Sequence, residues 1–525
     1  MEHDIEVKAH QDQNQQPSLR TSIKKSSLTG VAQFVINTVL VFSAIPIFVR
    51  KLGAEQYGVF SLVALVGNVN TFANLGLSPA LVRFLASQGK SRESDYDIIV
   101  TFAMLLVIVL PLALIGFLLQ REILIVVFNI PVYLLAEGKW LFNSTLCGSV
   151  LVLLGQTFSA ILESQQKIYL TNTFQMIYNC FYWILILVSI FLGFGLKGVA
   201  AGTFIATLIW FCIVLFSALH SWGGISLTGL KDNYRRIAKK QLSYGLQVYA
   251  AGVVGFFHEP ITRILISRFI GVPEAGLFDI ALRVRNQAVG LVMKLLSPLY
   301  PAISQISDNV KLRALVHDVE QKTFLFVLPV SAVIMLVTRP AVGLVFHAHV
   351  DETAITVICI VVAYLLFSTT VLPIYLFLMA RGQPSKTILI QGLNVCVNAA
   401  VFFILLHQLG YYSAVVSNVA AIATTFGVLL FFQKKFLDSL IFENSGQLFR
   451  VIVSFAVVLG LGFVATILSS TQAMALVVVP VVVAIVTVFV YRQFDLFSSR
   501  DIARYFGDGN LFSRISSYLL LRKVA

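Results

Sequence analysis

A long series of apolar stretches limits this chain to one class of fold. About fourteen stretches between residues 28 and 491 are long and apolar enough to cross a bilayer, which takes about 17 to 25 residues for each helix. Hydrophobic residues make up 58% of the 525 positions and charged residues only 12%, whereas a soluble domain carries about a quarter charged residues. We therefore predict an all-α polytopic membrane protein.

The placement of basic residues predicts the orientation of the spans. If both tails lie inside, roughly 27 of the 38 Lys and Arg residues face the cytoplasm, and the odd-numbered loops hold only six. The formal charge of +13 therefore reflects membrane topology, and we expect no nucleic-acid partner. The polar segment before the first span contains no apolar signal region, so we expect an uncleaved chain. These features predict a multi-pass membrane protein with cytoplasmic termini.

An internal repeat predicts the arrangement of the spans. The motif R-x2-G-x4-G-x-F occurs at residues 50–60 and again at residues 268–278, and further blocks recur near the same offset of 218 residues. Six spans separate the copies, so both halves face the same way and form two pseudo-symmetric six-helix lobes, with two transmembrane helices appended. We expect the repeated glycines to serve tight turns at the outer surface, because glycine adopts a positive φ without strain.

This arrangement predicts six segments along the chain. They are a cytoplasmic tail (1–27), an N-lobe of spans 1–6 (28–219), a basic cytoplasmic linker (220–241), a C-lobe of spans 7–12 (242–432), spans 13 and 14 (450–491) and an amphipathic cytoplasmic tail (492–525).

The eighth predicted span carries the strongest candidate binding surface. Arg283 and Lys294 lie eleven residues apart, almost three helical turns, so they share one helical face. Cations inside a bilayer cost about 2.5–3.5 kcal/mol each, so this face is expected to line a water-filled cavity. The same face also carries Asn286, Gln287, Gly290 and Ser297.

Other polar residues within spans are weaker candidates. Span 7 offers Gln247 and His258, and the first lobe offers Asn37, Asn70 and Asn74. The amides could line the cavity or join neighbouring helices by hydrogen bonds. Three residues, Glu259, His258 and Asp279, are candidates for ion coupling. The spacing i, i+4 also allows structural ion pairs between Glu259 and Arg263 and between Asp279 and Arg283.

The sequence holds no motif that indicates an enzyme or a cofactor. No P-loop, G-x-S-x-G or H-E-x-x-H motif is present, and the five cysteines have no metal-site or redox spacing. We therefore expect no metal, no cofactor and no catalytic residue. A membrane glycosyltransferase or polymerase, the enzyme alternative, usually needs a larger outer loop than the twenty or so residues available here.

Two segments resemble a known family. Residues 47–62 (I-F-V-R-K-L-G-A-E-Q-Y-G-V-F-S-L) and residues 74–86 (N-L-G-L-S-P-A-L-V-R-F-L-A) look like the start of Wzx-type polysaccharide flippases. These flippases belong to the multidrug/oligosaccharidyl-lipid/polysaccharide exporter superfamily. The resemblance implies that the chain moves an oligosaccharide linked to undecaprenyl pyrophosphate, an O-antigen or exopolysaccharide repeat unit, from the cytoplasmic to the periplasmic leaflet by alternating access.

The resemblance also implies partners and roles for the candidate residues. Membrane lipids and a polysaccharide polymerase or ligase are the expected partners. The cations Arg283 and Lys294 would hold the pyrophosphate, while amides of the first lobe would meet the glycan. This chain departs from some relatives, which carry charges in the first two spans where it has asparagines, so its first-lobe partner site is open.

Two further functions fit the same superfamily. An ion-coupled multidrug exporter would need carboxylates in the cavity for cationic drugs, whereas cations dominate the charges inside the predicted spans. A lipid II flippase is a variant of the first function that the sequence leaves open.

Overall fold

The computed structural model describes a chain of membrane-length helices. It describes residues 2–67, 73–225, 230–256, 258–296, 309–345, 350–380, 384–437, 445–494 and 496, and this part of the chain contains helices and no strand. The helices are α1 (Glu2–Gly67), α2 (Leu77–Gln88), α3 (Arg92–Leu118), α4 (Leu135–Ser164), α5 (Ile168–Phe191), α6 (Gly195–Trp222), α7 (Leu230–Phe256), α8 (His258–Phe269), α9 (Val272–Leu296), α10 (Asn309–Val345), α11 (Val350–Ala380), α12 (Pro384–Leu409), α13 (Tyr412–Leu437), α14 (Ser445–Leu468) and α15 (Gln472–Gln493). Short helical turns at Gln120–Glu122, Ile123–Val127 and Val132–Leu134 connect α3 to α4.

The length and apolarity of these helices confirm the predicted fold class. Within the described residues, ten helices are long and apolar enough to cross a membrane. Helices suit this setting because each satisfies its backbone hydrogen bonds internally, and hydrocarbon offers no alternative partners. The predicted total of about fourteen spans stays a prediction.

The chain divides into two compact units, Met1–Gly276 and Leu277–Ala525. In the first unit, α4 packs on α6, and α1 and α6 both pack on α5. One of its apolar clusters contains Phe158, Trp210 and Trp222. The lobe boundaries predicted from the repeat remain predictions.

In the second unit, α10 packs on α11, and α12 packs on α13. The last two helices, α14 and α15, pack on each other and on α10. Their joint core includes Ala332, Val458 and Val479. The hydroxyl of Tyr491 near the end of α15 donates a hydrogen bond to the carbonyl of Leu325 (2.6 Å), which ties the appended pair to the unit.

Two breaks interrupt the helices of the first unit. Gly53 adopts φ 85°, which allows the chain to turn within α1, as expected for the first glycine of the repeat. The second break lies before α2, where Leu75 and Gly76 have positive φ and Asn74 forms part of a turn. The second predicted span is therefore not one continuous helix.

Gly58 and Gly276 have a different role from the one predicted for the repeated glycines. Gly58 and Gly276, which are equivalent in the two copies of the motif, lie against each other, and a Cβ on Gly276 would be 2.9 Å from the Gly58 Cα. A Cβ on Gly58 would be 2.2 Å from the Val272 carbonyl oxygen. Neither glycine has a positive φ. Their missing side chains allow two backbones to approach closely, as small residues do between membrane helices.

Candidate substrate-binding site

The candidate cationic face lies on α9. This helix buries Leu282 and Arg285, whereas Arg283 and Gln287 are partly exposed and Asn286 is exposed. The side chains of Lys294 and Ser297 lie outside the described residues. The described part of the predicted face is therefore accessible and polar, as a binding surface requires.

Arg283 forms a close ion pair on this helix. Its Nε lies 2.6 Å from Oδ2 of Asp279, one turn earlier, and Asp279 is fully buried. The i, i+4 spacing places the two side chains on the same side of the helix. Any anion that binds Arg283 must therefore share its guanidinium group with the Asp279 carboxylate or displace that carboxylate.

Arg285 occupies the buried side of α9. Only 4% of its surface is exposed, and its guanidinium carbon lies 4.4 Å from the ring centre of Tyr364 on α11. Its Nη2 donates to the side-chain oxygen of Asn286 (2.7 Å). Helical periodicity places Arg285 away from the candidate face. In this buried position the aromatic ring and the amide both stabilise its charge.

The second predicted pair also forms, in the first unit. Nη2 of Arg263 on α8 lies 3.6 Å from Oε2 of Glu259, one turn earlier. Glu259 and Asp279, two of the three coupling candidates, are thus each paired with an arginine. The side chain of His258, the third, lies outside the described residues, as does that of Gln247.

The first-lobe amides differ in their surroundings. Asn74 is buried, and its amide nitrogen donates to the Ser78 hydroxyl (2.7 Å) and to the side-chain oxygen of Gln156 on α4. Its side-chain oxygen accepts from the backbone N–H of Ser78 (3.1 Å). Asn74 thus holds the break before α2 against α4, which is the interhelical role that the sequence left open.

The remaining first-lobe candidates are Asn37 and Asn70. Asn37 on α1 is partly exposed, so its amide is accessible to a ligand. Asn70 lies outside the described residues. Among these amides, Asn37 is the best-described candidate for a contact with sugar hydroxyls.

A buried carboxyl in the second unit was missed by the sequence reasoning. Glu320 on α10 is 1% exposed, and its Oε2 accepts a hydrogen bond from Nε2 of Gln433 on α13 (2.6 Å). Its Oε1 has no hydrogen-bond partner among the described residues. The apolar stretch of the ninth span begins only at residue 323, so the sequence placed Glu320 in a loop, whereas α10 begins at Asn309.

A second group of charges was also missed, at the start of α3. Asp97 is fully buried there and contacts side chains of α7, 143 and more positions later in the chain. Sequence spacing carries no signal for a contact of this range. No group of three or more His, Cys, Asp or Glu side chains with metal-site geometry occurs among the described residues.

Comparison with known proteins identifies the family of this chain. The sequence profile of the polysaccharide biosynthesis protein family matches residues 47–355, more than half of the chain. The chain belongs to this family. The match includes both copies of the glycine motif and the candidate face on α9. The family predicted from the two N-terminal segments is confirmed.

Two relatives of this polysaccharide biosynthesis protein are named for glycan transport. A Shigella flexneri protein named an O-antigen transporter is 21% identical over 405 residues, which cover 75% of this chain and 94% of the relative. A Haloferax volcanii protein named a low-salt glycan biosynthesis flippase is 23% identical over 406 residues, which cover 76% of this chain and 81% of the relative. Both names describe transport rather than catalysis.

Two solved structures share the fold. The lipid II flippase MurJ in an inward closed conformation superposes with a TM-score of 0.70 at 15% identity, covering 90% of this chain and 99% of that one. A multidrug resistance transporter of the MATE family in an inward-facing conformation superposes with a TM-score of 0.63 at 16% identity, covering 78% of this chain and 98% of that one. At such low identity these structures show the fold alone. They agree with the predicted helical exporter architecture.

Proposed function

We propose that this chain is a flippase that moves a lipid-linked glycan between the two leaflets of its membrane. The observation that carries the proposal is the family match together with two relatives that are both named for glycan transport. The fold supports it, since a glycan carried on a lipid must pass through a membrane domain and ten described helices have the length and apolarity to build one.

The substrate class follows from the charge on α9. A pyrophosphate link carries at least two negative charges, and guanidinium groups bind phosphate through several charge-assisted hydrogen bonds. Arg283 supplies such a group on an accessible polar face. We therefore assign the substrate as a repeat unit on undecaprenyl pyrophosphate, with Arg283 and Lys294 as the residues that hold the pyrophosphate.

The proposed location and direction of transport rest on the predicted orientation of the chain. The excess of Lys and Arg in alternate loops favours an inner-membrane protein with both termini in the cytoplasm. Glycan units assembled in the cytoplasm would then cross to the outer leaflet, where a polymerase or ligase uses them. Alternating access of the two predicted lobes is the proposed mechanism.

The decisive experiment compares the two faces of sealed membranes. Right-side-out vesicles from cells with and without the protein are probed with a membrane-impermeant reagent for glycan on polyprenyl pyrophosphate. The proposal expects loss of outer-face glycan and accumulation on the cytoplasmic face when the protein is absent. An unchanged distribution, in a host with no second flippase, would overturn it in favour of a drug exporter.

A matched pair of variants tests the binding residues in the same assay. Replacing Arg283 and Lys294 together by Gln should abolish the outer-face signal, because the pyrophosphate loses its counter-charges. Arg339→Gln is the control, since Arg339 on α10 is an exposed cation that pairs with exposed Asp351 (3.0 Å). Normal transport by the double variant would exclude these two cations as the pyrophosphate site.

A further inference from the structure

A buried ion pair joins α3 to α7 in the first unit. The side chain of Asp97 is fully buried, and its Oδ2 lies 3.6 Å from Nζ of Lys240. Its Oδ1 accepts from Nε2 of Gln241 (3.0 Å), and Gln241 also contacts the hydroxyl of Thr101. With its amide nitrogen facing Asp97, Gln88 donates to the same carboxylate (3.1 Å) and accepts from Lys240 (2.8 Å). Asp97 is thus a buried anion with specific partners from two helices.

Further polar and acidic residues lie at the start of α3, beside this ion pair. Ser91 caps the helix by accepting from the N–H of Ser94 (3.1 Å), and Glu93 lies in the first turn. Acidic side chains are stabilised at a helix N-terminus by the helix dipole. Glu93 adds contacts to Lys240 and Arg236, each 3.6 Å, the same length as the contact between Asp97 and Lys240. Removing charge from α7 would therefore weaken several contacts at once.

Aromatic and backbone contacts extend the contact surface between α7 and α2–α3, which we call the seam. Nζ of Lys240 lies 4.2 Å from the ring centre of Phe84 on α2, and the Arg83 guanidinium lies 4.3 Å from that of Tyr244. Further along α7, Gly245 approaches Gly76 so closely that a Cβ on Gly76 would be 2.2 Å from the Gly245 carbonyl oxygen. The seam between α7 and α2–α3 is thus tight from the ion pair to the helix break.

The predicted lobes suggest a function for this seam in alternating access. The repeat assigns α2 and α3 to the N-lobe, whereas α7 begins in the predicted cytoplasmic linker (220–241), which contains Lys240, and continues into the C-lobe (242–432). The charge pattern predicts that residues 90–97 and 230–241 lie at the cytoplasmic side. Alternating access requires the contacts on one side of the membrane to separate while a substrate enters there. A seam of charges suits repeated separation, because Asp97 and Lys240 are hydrated when they part, whereas an apolar seam would expose hydrophobic surface.

We propose that Asp97 and Lys240 form a cytoplasmic latch, in which Asp97 positions Lys240 and thereby holds α7 against α3 between loading events. The latch rests on the proposed flippase function and the predicted orientation. Opening of the latch admits the lipid-linked glycan, and closure prevents its return to the cytoplasm. Asp97 and Lys240 act on access alone and make no contact with the substrate.

Disulfide cross-linking tests the latch. In a variant whose five cysteines are replaced by serine, Val100→Cys and Ile237→Cys place a pair within one small apolar cluster between α3 and α7. Oxidation should cross-link this pair and stop the appearance of glycan on the outer face, and reduction should restore it. The control pair, Gln165→Cys and Ser221→Cys, joins the ends of α4 and α6, where these two residues already contact each other (3.3 Å). Cross-linking the control should leave transport intact.

The role of the charges is tested in the same variant. Asp97→Asn should slow cross-linking by about tenfold, because the closed state loses a buried charge pair, and Lys240→Met should act in the same direction. Lys240→Arg keeps the charge and should preserve the wild-type rate. Because Lys240 is about one-third exposed, its substitution keeps the test valid should Asp97→Asn fail to fold.

The outcomes separate the latch from the flippase function. Continued transport by the cross-linked α3–α7 pair, or an unchanged cross-linking rate in both charge variants, would overturn the latch. Failure of the flippase proposal gives a different result. In that case the amount of glycan on the outer face does not depend on the parent protein, even when the protein is not cross-linked. The cross-linking rates report on the latch in either case.

Discussion

Nε of Arg283 and Oδ2 of Asp279 lie 2.6 Å apart on consecutive turns of α9, with the carboxylate buried and a quarter of the arginine side chain exposed. When no other anion is bound, the Asp279 carboxylate neutralises most of the positive charge of Arg283. A diphosphate that binds there carries more charge than one carboxylate and can offer the guanidinium group two or more acceptors. If Arg283 binds the proposed substrate, Asp279 keeps the guanidinium group in place between substrates and competes with each substrate for it.

The first prediction separates binding from stability at this pair. Arg283→Gln alone should cost about 1–3 kcal/mol of unfolding free energy, because the buried Asp279 loses its counter-charge. The double variant Asp279→Asn, Arg283→Gln should regain most of that stability, and its transport should stay at least about tenfold reduced. Thermal unfolding in detergent and the outer-face glycan assay measure the two effects. Transport by the stable double variant would show that Arg283 serves structure alone.

The second prediction concerns the close contact of Gly58 and Gly276. Gly276→Ala should destabilise the protein by about 1–3 kcal/mol, since the new methyl group meets the Gly58 backbone and neither helix can yield locally. Gly427→Ala is the matched control, because a Cβ at that position in α13 would have no neighbour within 4 Å. The control should be neutral or slightly stabilising, as alanine favours helix. Equal thermal midpoints for both variants would contradict the close packing.

The third prediction tests the buried pair of Glu320 and Gln433. Gln433→Leu should destabilise the second unit by about 1–3 kcal/mol, because the buried carboxyl loses its amide donor. Adding Glu320→Leu should recover most of the loss, since both polar groups are then gone. Unfolding midpoints of the two single variants and the double variant form a double-mutant cycle. Simple additivity in that cycle would mean that the two side chains act independently.

The fourth prediction tests how the last helices are attached. Tyr491→Phe removes the hydrogen bond to the carbonyl of Leu325 and should cost about 1 kcal/mol, while the ring keeps its packing. Tyr234→Phe on α7 is the control, because Tyr234 is exposed. Thermal unfolding in detergent measures the loss. Equal midpoints for both variants would exclude this anchoring role.

Much of the fold could be predicted because its signals are local. Runs of apolar residues specify membrane-length helices wherever they occur, and the first glycine of the repeat lies at a turn as expected. The same reasoning misread Gly58 and Gly276 as turn residues. A glycine can be required for its backbone freedom or for its missing side chain, and the sequence does not distinguish these two reasons.

The candidate site was predictable only within single helices. The i, i+4 pair of Asp279 and Arg283 follows from helical periodicity, and the structure contains it. Contacts between distant helices, such as Asp97 with Lys240 and Glu320 with Gln433, depend on which helices become neighbours. No pattern along one chain encodes that choice. The interhelical role of Asn74 was one of two alternatives, and only its contact with Gln156 decides between them.

The contact between Gly58 and Gly276 also bears on how the chain arose. The two glycines occupy equivalent positions in two copies of one motif, and they meet each other. If the repeat descends from duplication of a six-helix ancestor, that ancestor would have paired as a homodimer with the same glycine from each subunit at its two-fold axis. A single substitution there would have acted twice in the dimer. After such a fusion the two positions would have been free to diverge, and both are glycine in this chain.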